Sequence, residues 1–305
     1  FGGAYMDTTV FVNGTEVGQW KYGYTSFWFD ITDALHEGQN EVLVRCNLRH
    51  PNSRWYSGAG LYRNVELWEA PDLHLMPDGL YVAAKEGDNG AWTVAVTAEA
   101  GSVTAASAGR TLTLHLTDDN GSLLGTAAIP ADAWAALPSP DGWRTGKETA
   151  IYKASHTFTL QDPALWDLDA PSFYHITAEL TGADGVTDTL TTRFGCRTIE
   201  ATPDCGLLVN HKRVLIKGVC IHHDFGCLGS AFEYSAAKRQ LEILKSMGVN
   251  SIRTGHTPPA PQFMDLADEM GILMDVESFD CWRSGKNPYD YGRFFDEWQE
   301  KDVAA

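Results

Sequence analysis

A chain of 305 residues, 44% of them hydrophobic, is longer than one ordinary domain and carries enough apolar side chain for more than one core. A formal net charge of −17 with no Lys/Arg-rich run argues against nucleic acid as a partner, because holding a phosphate backbone depends on clustered cations. No run of about 18 apolar residues occurs, so no segment reads as a membrane-spanning helix.

The chain opens on "FGGAYMDTTVFVNG", which has neither a basic n-region nor an apolar h-region and starts, without methionine, inside what already reads as a strand. A true N-terminus is therefore expected to be missing. Next, "TTVFVNGTEVGQW" sets Asn13-Gly14 between two short β-type runs; the dipeptide suits a type I′ hairpin, whose two central residues both need positive φ. In "SFWFDI", Phe27, Phe29 and Ile31 alternate with smaller or polar neighbours, and "EVLVRCNL" alternates in the same way. Residues 1–71 read as half-buried strands of a jelly-roll-like β-sandwich ending near Ala70-Pro71. Within them "RWYSGAGLYR" concentrates Trp, Tyr and Arg in a glycine-rich loop. Either a hydrophobic anchor holds this loop, or Arg54, Trp55 and Tyr56 floor a sugar site, where flat aromatic rings stack on the apolar faces of pyranoses. Trp282 and Tyr289 invite the same two readings.

Residues 72–196 repeat the strand theme. "AWTVAVTAEA", "RTLTLHLTDDNGSLLG", "ASHTFTLQ", "FYHITAEL" and "TDTLTTRFG" are separated by Gly, Asp, Pro and Asn clusters. That spacing predicts an immunoglobulin-like β-sandwich.

From 197 to 305 the rhythm changes. "RVLIKGVCI" is an apolar run; "SAAKRQLEILKSMG" carries Ala237, Leu241, Leu244 and Met247 at helical spacing and closes on Gly248; "VNSIR" returns to strand. The next unit puts Phe263, Leu266, Ala267 and Met270 on one helical face, closes on Gly271 and leads into "ILMDV". Alternating strand and helix with apolar strands means a parallel sheet covered by helices. In a (β/α)8 barrel the residues just past each strand's C-terminal end form the active face. Here those ends read "HHD" (His222, His223, Asp224), "RTGH" (Arg253, His256) and "VESFD" (Glu277, Asp280). Side-chain alternation sends only one of the two adjacent histidines inward.

Each candidate has a plainer reading. His222 and His223 also suit a solvated loop or one core histidine, although three successive chemistry-bearing strand ends favour a pocket. "HHD" also suits zinc or iron, but neighbouring ligands on an extended strand point apart. Arg253 is either an ion-pair partner that neutralises a buried acid or an orienter that keeps an acid ionised, and both readings predict the same contact. The six cysteines form no CxxC pair, which predicts free thiols in a reducing compartment. A cytoplasmic setting is thereby favoured, with the compartment left open by the missing start.

The order sandwich, immunoglobulin-like domain, barrel, together with "VFVNGTEVG…YTSFWFDIT", "SRWYSGAGLYR", "PALWDLDAPSFYHITAEL", "FGCRTIE", "LIKGVCIHHDFGCLGSAF", "IRTGHTPPAPQFMDLADEMGILMD" and "ESFDCW", resembles glycoside hydrolase family 2 and within it the bacterial β-galactosidases. The resemblance runs through almost the whole chain. It implies retaining hydrolysis of a terminal β-linked sugar by two carboxyl groups about 5 Å apart, one protonating the leaving oxygen and one attacking the anomeric carbon. In this family both are glutamates at the ends of barrel strands four and seven. The chain stops at "WQEKDVAA", before strand four, so no catalytic residue is expected in it and Glu277 is not promoted to that role. His222 and His256 match positions that contact sugar hydroxyls, and Arg253 matches the arginine near the nucleophile. Asp280, Trp282, Arg54 and Trp55 complete the expected substrate-binding set.

Two places depart from the family pattern. Asn210-His211 stands where Asn-Gly is usual, so Asn210 is expected to take positive φ there. "DVESFDCW" stands where relatives often read "DEAFDMW". The resemblance implies no required cofactor, although some relatives use magnesium or sodium near the pocket. Its partners are a β-galactoside-type carbohydrate and, in a homo-oligomer, other copies of the chain. The expectation is therefore a fragment of a β-glycosidase: a sugar-binding β-sandwich (1–71), an immunoglobulin-like β-sandwich (72–196) and the first part of a TIM barrel (197–305, about three of eight βα units), inactive alone. A designed truncation, a shortened reading frame and proteolysis would each produce one. The alternatives are a non-catalytic carbohydrate-binding or adhesion protein, and β-glucuronidase or β-mannosidase activity within the same family.

Overall fold

The computed structural model describes every residue except Tyr56, 105–106, 138–145, 183–184, His223 and Ala305. Packing divides it into two compact units, Phe1–Leu67 with Lys217–Ala305, and Trp68–Ile216. Among the described residues no helix is long and apolar enough to cross a membrane.

The first segment carries β1 (Ala4–Tyr5), β2 (Thr8–Val12), β3 (Thr15–Trp20), β4 (Val42–Cys46) and β5 (Gly60–Leu61), with one 3-10 turn at Thr32–Ala34. They form a β3-β2-β4 antiparallel sheet and a β1-β5 pair. Asn13 and Gly14 turn β2 into β3 with φ of 50° and 81°, the left-handed conformations that this dipeptide tolerates. The Asn13 side chain fastens the turn by donating to the Ala34 carbonyl at 2.8 Å and accepting from the Glu41 N–H at 2.9 Å. Val10, Trp20 and Val44 point into an aromatic core with Tyr5, Tyr22, Tyr24 and Phe27. The strand expected over 26–31 does not form. Phe27 instead exchanges two backbone hydrogen bonds with Phe1, and its ring stacks on Phe1 and Trp20 at 5.0 and 5.6 Å. Ring burial rather than a ladder fixes this stretch.

Gly18 sits where a Cβ would meet the Phe29 ring at 2.3 Å. Gly18→Ala is expected to destabilise this unit by about 2 kcal/mol through overpacking, read as a lowered urea midpoint at unchanged slope.

In the second unit, β6 (Leu73–Glu86), β7 (Ala91–Ser102), β8 (Thr111–Asp118), β9 (Leu123–Pro130), β10 (Ala135–Leu137), β11 (Ala150–Gln161), β12 (Tyr174–Gly182) and β13 (Gly185–Phe194) make two antiparallel sheets. Their orders are β10-β11-β7-β6 and β13-β12-β8-β9. Alternation along β7, β8 and β12 buries Trp92, Val94, Val96, Leu112, Leu114, Leu116, Ile176, Ala178 and Leu180 in one core, giving an immunoglobulin-like sandwich. β14 (Ile199–Thr202), β15 (Gly206–Val209) and β16 (Lys212–Arg213) add a small antiparallel sheet. At its Asn210-His211 turn both residues take positive φ, 49° and 60°. Glu86 and Glu200 grip the His211 ring at 2.7 and 2.9 Å and hold a histidine where a glycine would be unstrained.

The last segment begins a (β/α)8 barrel: β17 (Gly218–Ile221), α1 (Tyr234–Ser246), β18 (Ser251–Thr254), α2 (Pro261–Glu269), β19 (Leu273–Val276) and α3 (Phe295–Ala304). Its three strands are parallel in the order β17-β18-β19. Ala237 and Leu241 of α1 and Phe263, Leu266 and Ala267 of α2 pack with Ile252 in one buried cluster. Met247, expected on the same helical face, is 73% exposed, because it follows the last turn of α1 and lies beyond the buried stripe.

Candidate functional site

Parallel pairing sets the three strand ends level. Ile221, Thr254 and Val276 lie side by side in register, so the residues that follow them emerge at one rim. There the rings of His222 and His256 lie 5.4 Å apart, and Trp55 from the loop before β5 stands 5.7 and 5.6 Å from them. Gly255 makes room: a Cβ there would sit 3.3 Å from Nε2 of His222.

Behind the rings is a charged cluster. Arg253, next to last on β18, pairs through Nη2 with Oε1 of Glu277, and its Nη1 lies 3.5 Å from the Cys220 thiol. Oε2 of Glu277 is 2.7 Å from Nδ1 of His256, and the Glu277 N–H donates to Oγ1 of Thr254 at 3.1 Å. Partial burial pushes the Glu277 carboxyl upward, but the hydrogen bonds from His256 and Arg253 and the charge of Arg253 outweigh it and hold it below the usual carboxylate range. The contact foreseen for Arg253 is therefore made, with Glu277 as the acid.

Beside it, Asp280 receives Arg54 and Lys286. Lys286 Nζ reaches Oδ1 at 2.8 Å and the Asp280 carbonyl at 2.6 Å. Burial pushes this carboxyl upward too, and the hydrogen bonds from Lys286, Arg54 and Cys281 bring it below its ordinary value. The Cys281 thiol, buried and next to Asp290 and Asp280, is pushed up to about 12, so it stays a thiol. Adjacent residues of one loop thus serve both clusters, Arg54 on Asp280 and Trp55 on the histidine rings. A small cavity lined by Trp55, Asn52, Thr257 and Asp280 lies between the two clusters, with room for about one water molecule.

The loop keeps its place through polar anchors. Asn52 accepts from the Tyr5 hydroxyl at 3.1 Å and from Ser57 at 2.9 Å. Arg63, at the loop's far end, donates to the carbonyls of Gly2, Tyr24 and Pro258 at 3.2, 2.8 and 2.9 Å.

Of the residues singled out from sequence, His222, Arg253, His256 and Trp55 converge, and Arg54 and Asp280 meet beside them. Trp282 is 60% exposed and packs against the rings of Phe279 and Phe295 at 5.9 and 5.5 Å. Tyr289 lies under the Arg49 guanidinium at 5.8 Å. Tyr56 and His223 are outside the described residues. Sequence reasoning missed Lys286, which carries no motif, and Arg63 as the loop's anchor. Among the described residues no three His, Cys, Asp or Glu side chains converge as metal ligands, so no ligand set for magnesium, sodium, zinc or iron is assigned.

Sequence models of glycosyl hydrolases family 2 match residues 78–197, and those of the family's TIM barrel domain match residues 201–297. Among curated relatives, β-galactosidase BoGH2A of Bacteroides ovatus is 37% identical over 99% of this chain and 34% of its own length. A protein named putative β-glucuronidase from Formosa agariphila is 32% identical over 99% of this chain and 27% of its own length. Among solved structures, a β-glycosidase from Bacteroides vulgatus aligns with a TM-score of 0.87 at 32% identity, covering 100% of this chain and 37% of that one. A family 2 member from Bacteroides cellulosilyticus gives a TM-score of 0.87 at 29% identity, covering 99% and 38%. The chain thus spans 34% or less of the length of these two curated relatives.

Proposed function

Because the chain belongs to glycosyl hydrolases family 2, we propose that it builds one wall of the sugar cleft of a retaining β-glycosidase acting on terminal β-galactosides. The convergence of Trp55, His222, His256 and Arg253 at the level ends of three parallel strands carries this reading. Imidazole and guanidinium groups bind hydroxyls, while the indole offers a flat apolar face to the pyranose ring.

Retaining hydrolysis needs a proton donor and a nucleophile about 5 Å apart. Glu277 suits neither role. Its carboxyl is held ionised, so it has no proton to give, and both oxygens are engaged by Arg253 and His256. Glu277 is therefore not assigned as a catalytic carboxylate, and the chain alone is expected to leave chromogenic β-galactosides intact, as the resemblance implies. Turnover by the chain alone would overturn that assignment.

The charge arrangement favours a neutral sugar over a uronate. Among the described residues Arg253, Arg54 and Lys286 are each already paired with Glu277 or Asp280, and a uronate carboxylate would have to compete for them. The test is a panel of chromogenic β-galactoside, β-glucuronide and β-mannoside substrates given to the product of the whole reading frame. Highest kcat/KM on the galactoside is expected; highest on the glucuronide would replace the substrate assignment. No turnover of any would favour a non-catalytic carbohydrate binder.

A further inference from the structure

We infer that Glu277 is a positioning residue that keeps the proton of the neutral His256 ring on Nδ1, leaving Nε2 as a lone-pair acceptor that reads one sugar hydroxyl as a hydrogen-bond donor. The inference rests on the sugar-cleft reading for its ligand, while the proton assignment stands on local geometry.

Nδ1 of His256 lies 2.7 Å from Oε2 of Glu277, a separation that requires a proton between them. An ionised carboxylate only accepts, and its two cationic or donating partners keep this one ionised. The proton therefore sits on Nδ1. Arg253 Nη2 also approaches that nitrogen, at 3.3 Å, but a guanidinium has only donors and cannot share a nitrogen that is already giving its proton away. The shorter contact decides, and Arg253 spends its hydrogen bond on the other carboxylate oxygen. Glu277 is itself fixed by Arg253 and by the Thr254 hydroxyl, so β18 holds the residue that follows β19 and that residue orients the ring.

In the neutral imidazole, fixing one nitrogen as donor makes the other an acceptor. Among the described residues nothing hydrogen-bonds Nε2, and the ring stands beside Trp55 and His222. A sugar hydroxyl arriving there meets an acceptor. A hydrogen or a fluorine in place of that hydroxyl offers no proton, so both substitutions should weaken binding alike.

Nitrogen-15 NMR of the histidine rings in the 305-residue chain, in alkaline buffer where neutral rings are observed, tests the proton directly. Expected for His256 is a protonated-type Nδ1 and a lone-pair-type Nε2. Glu277→Gln, whose side-chain oxygen still accepts, should keep the pattern; Glu277→Ala, with an otherwise unchanged amide spectrum, should mix the two forms. An Nε2–H pattern in the unaltered chain overturns the inference, as does a Glu277→Ala spectrum identical to it. If Glu277→Ala fails to fold, the unaltered chain and Glu277→Gln still decide. Titration with methyl β-galactoside and its single deoxy and deoxyfluoro analogues tests the reading of the ligand. At one ring position both analogues should lose about tenfold in affinity. Full affinity for the fluoro analogues at every position where the deoxy analogue fails would make Nε2 a donor and overturn the inference. A correct proton pattern with no response of the His222, His256 and Trp55 signals to any galactoside would instead reject the sugar-cleft reading and, with it, the assignment of the ligand.

Discussion

Arg63→Met is expected to destabilise the Phe1–Leu67 and Lys217–Ala305 unit by about 3 kcal/mol, because the buried Tyr24 carbonyl and the partly buried Gly2 and Pro258 carbonyls lose the guanidinium at once, and a buried group left unsatisfied costs on the order of 1–3 kcal/mol. Arg63 is 9% exposed and serves Gly2, Tyr24 and Pro258. Methionine keeps most of the apolar stem, so the loss reports the hydrogen bonds rather than the packing. Arg63→Lys, a point charge without the guanidinium fork, should fall between the two. Equilibrium urea unfolding measures the effect, and a shift below about 1 kcal/mol would show that water replaces the guanidinium. The same change should unseat the loop that presents Arg54 and Trp55, visible as a shifted indole signal of Trp55 even where the chain stays folded.

The stability of this unit should rise as the solution is acidified from alkaline pH. Asp302 of α3 is 4% exposed and accepts from the Thr25 hydroxyl at 3.1 Å and from the Tyr291 hydroxyl, both neutral donors. Burial, only partly offset by those hydrogen bonds, pushes its carboxyl up to about 7. In the unfolded chain an aspartate titrates near about 3.9. Between these values the folded state holds a proton that the unfolded state has released, so the folded state is favoured as pH falls. The contribution is complete below the unfolded value and is lost as pH rises through about 7. Its full size is about 4 kcal/mol, at 1.36 kcal/mol for each pKa unit. Asp302→Asn should remove this slope and be the more stable protein in alkaline buffer. Thermal midpoints of both proteins across pH check it, and parallel curves would show that Asp302 is ionised in the folded state.

What was legible in the sequence follows from which interactions are local. The Asn13-Gly14 hairpin and the helices closing on Gly248 and Gly271 are written in a few neighbouring residues, and the structure contains them. Strand alternation announced the immunoglobulin-like sandwich, because each strand buries every second side chain. Residues 26–31 carried the same alternation without forming a strand, since Phe27 is held by Phe1 and Trp20, contacts that its own neighbours do not encode. At the site, polar residues beyond three strand ends were visible as a pattern. An acid for Arg253 was foreseen, but its sharing with His256, Lys286 on Asp280 and Arg63 beneath the loop depend on side chains that come together only in three dimensions.

The meeting of Trp55 with His222 and His256 joins stretches of the gene that lie far apart. One indole from the loop before β5 completes a surface otherwise made by the ends of β17 and β18, so this surface forms only when the first and last segments of the chain fold together.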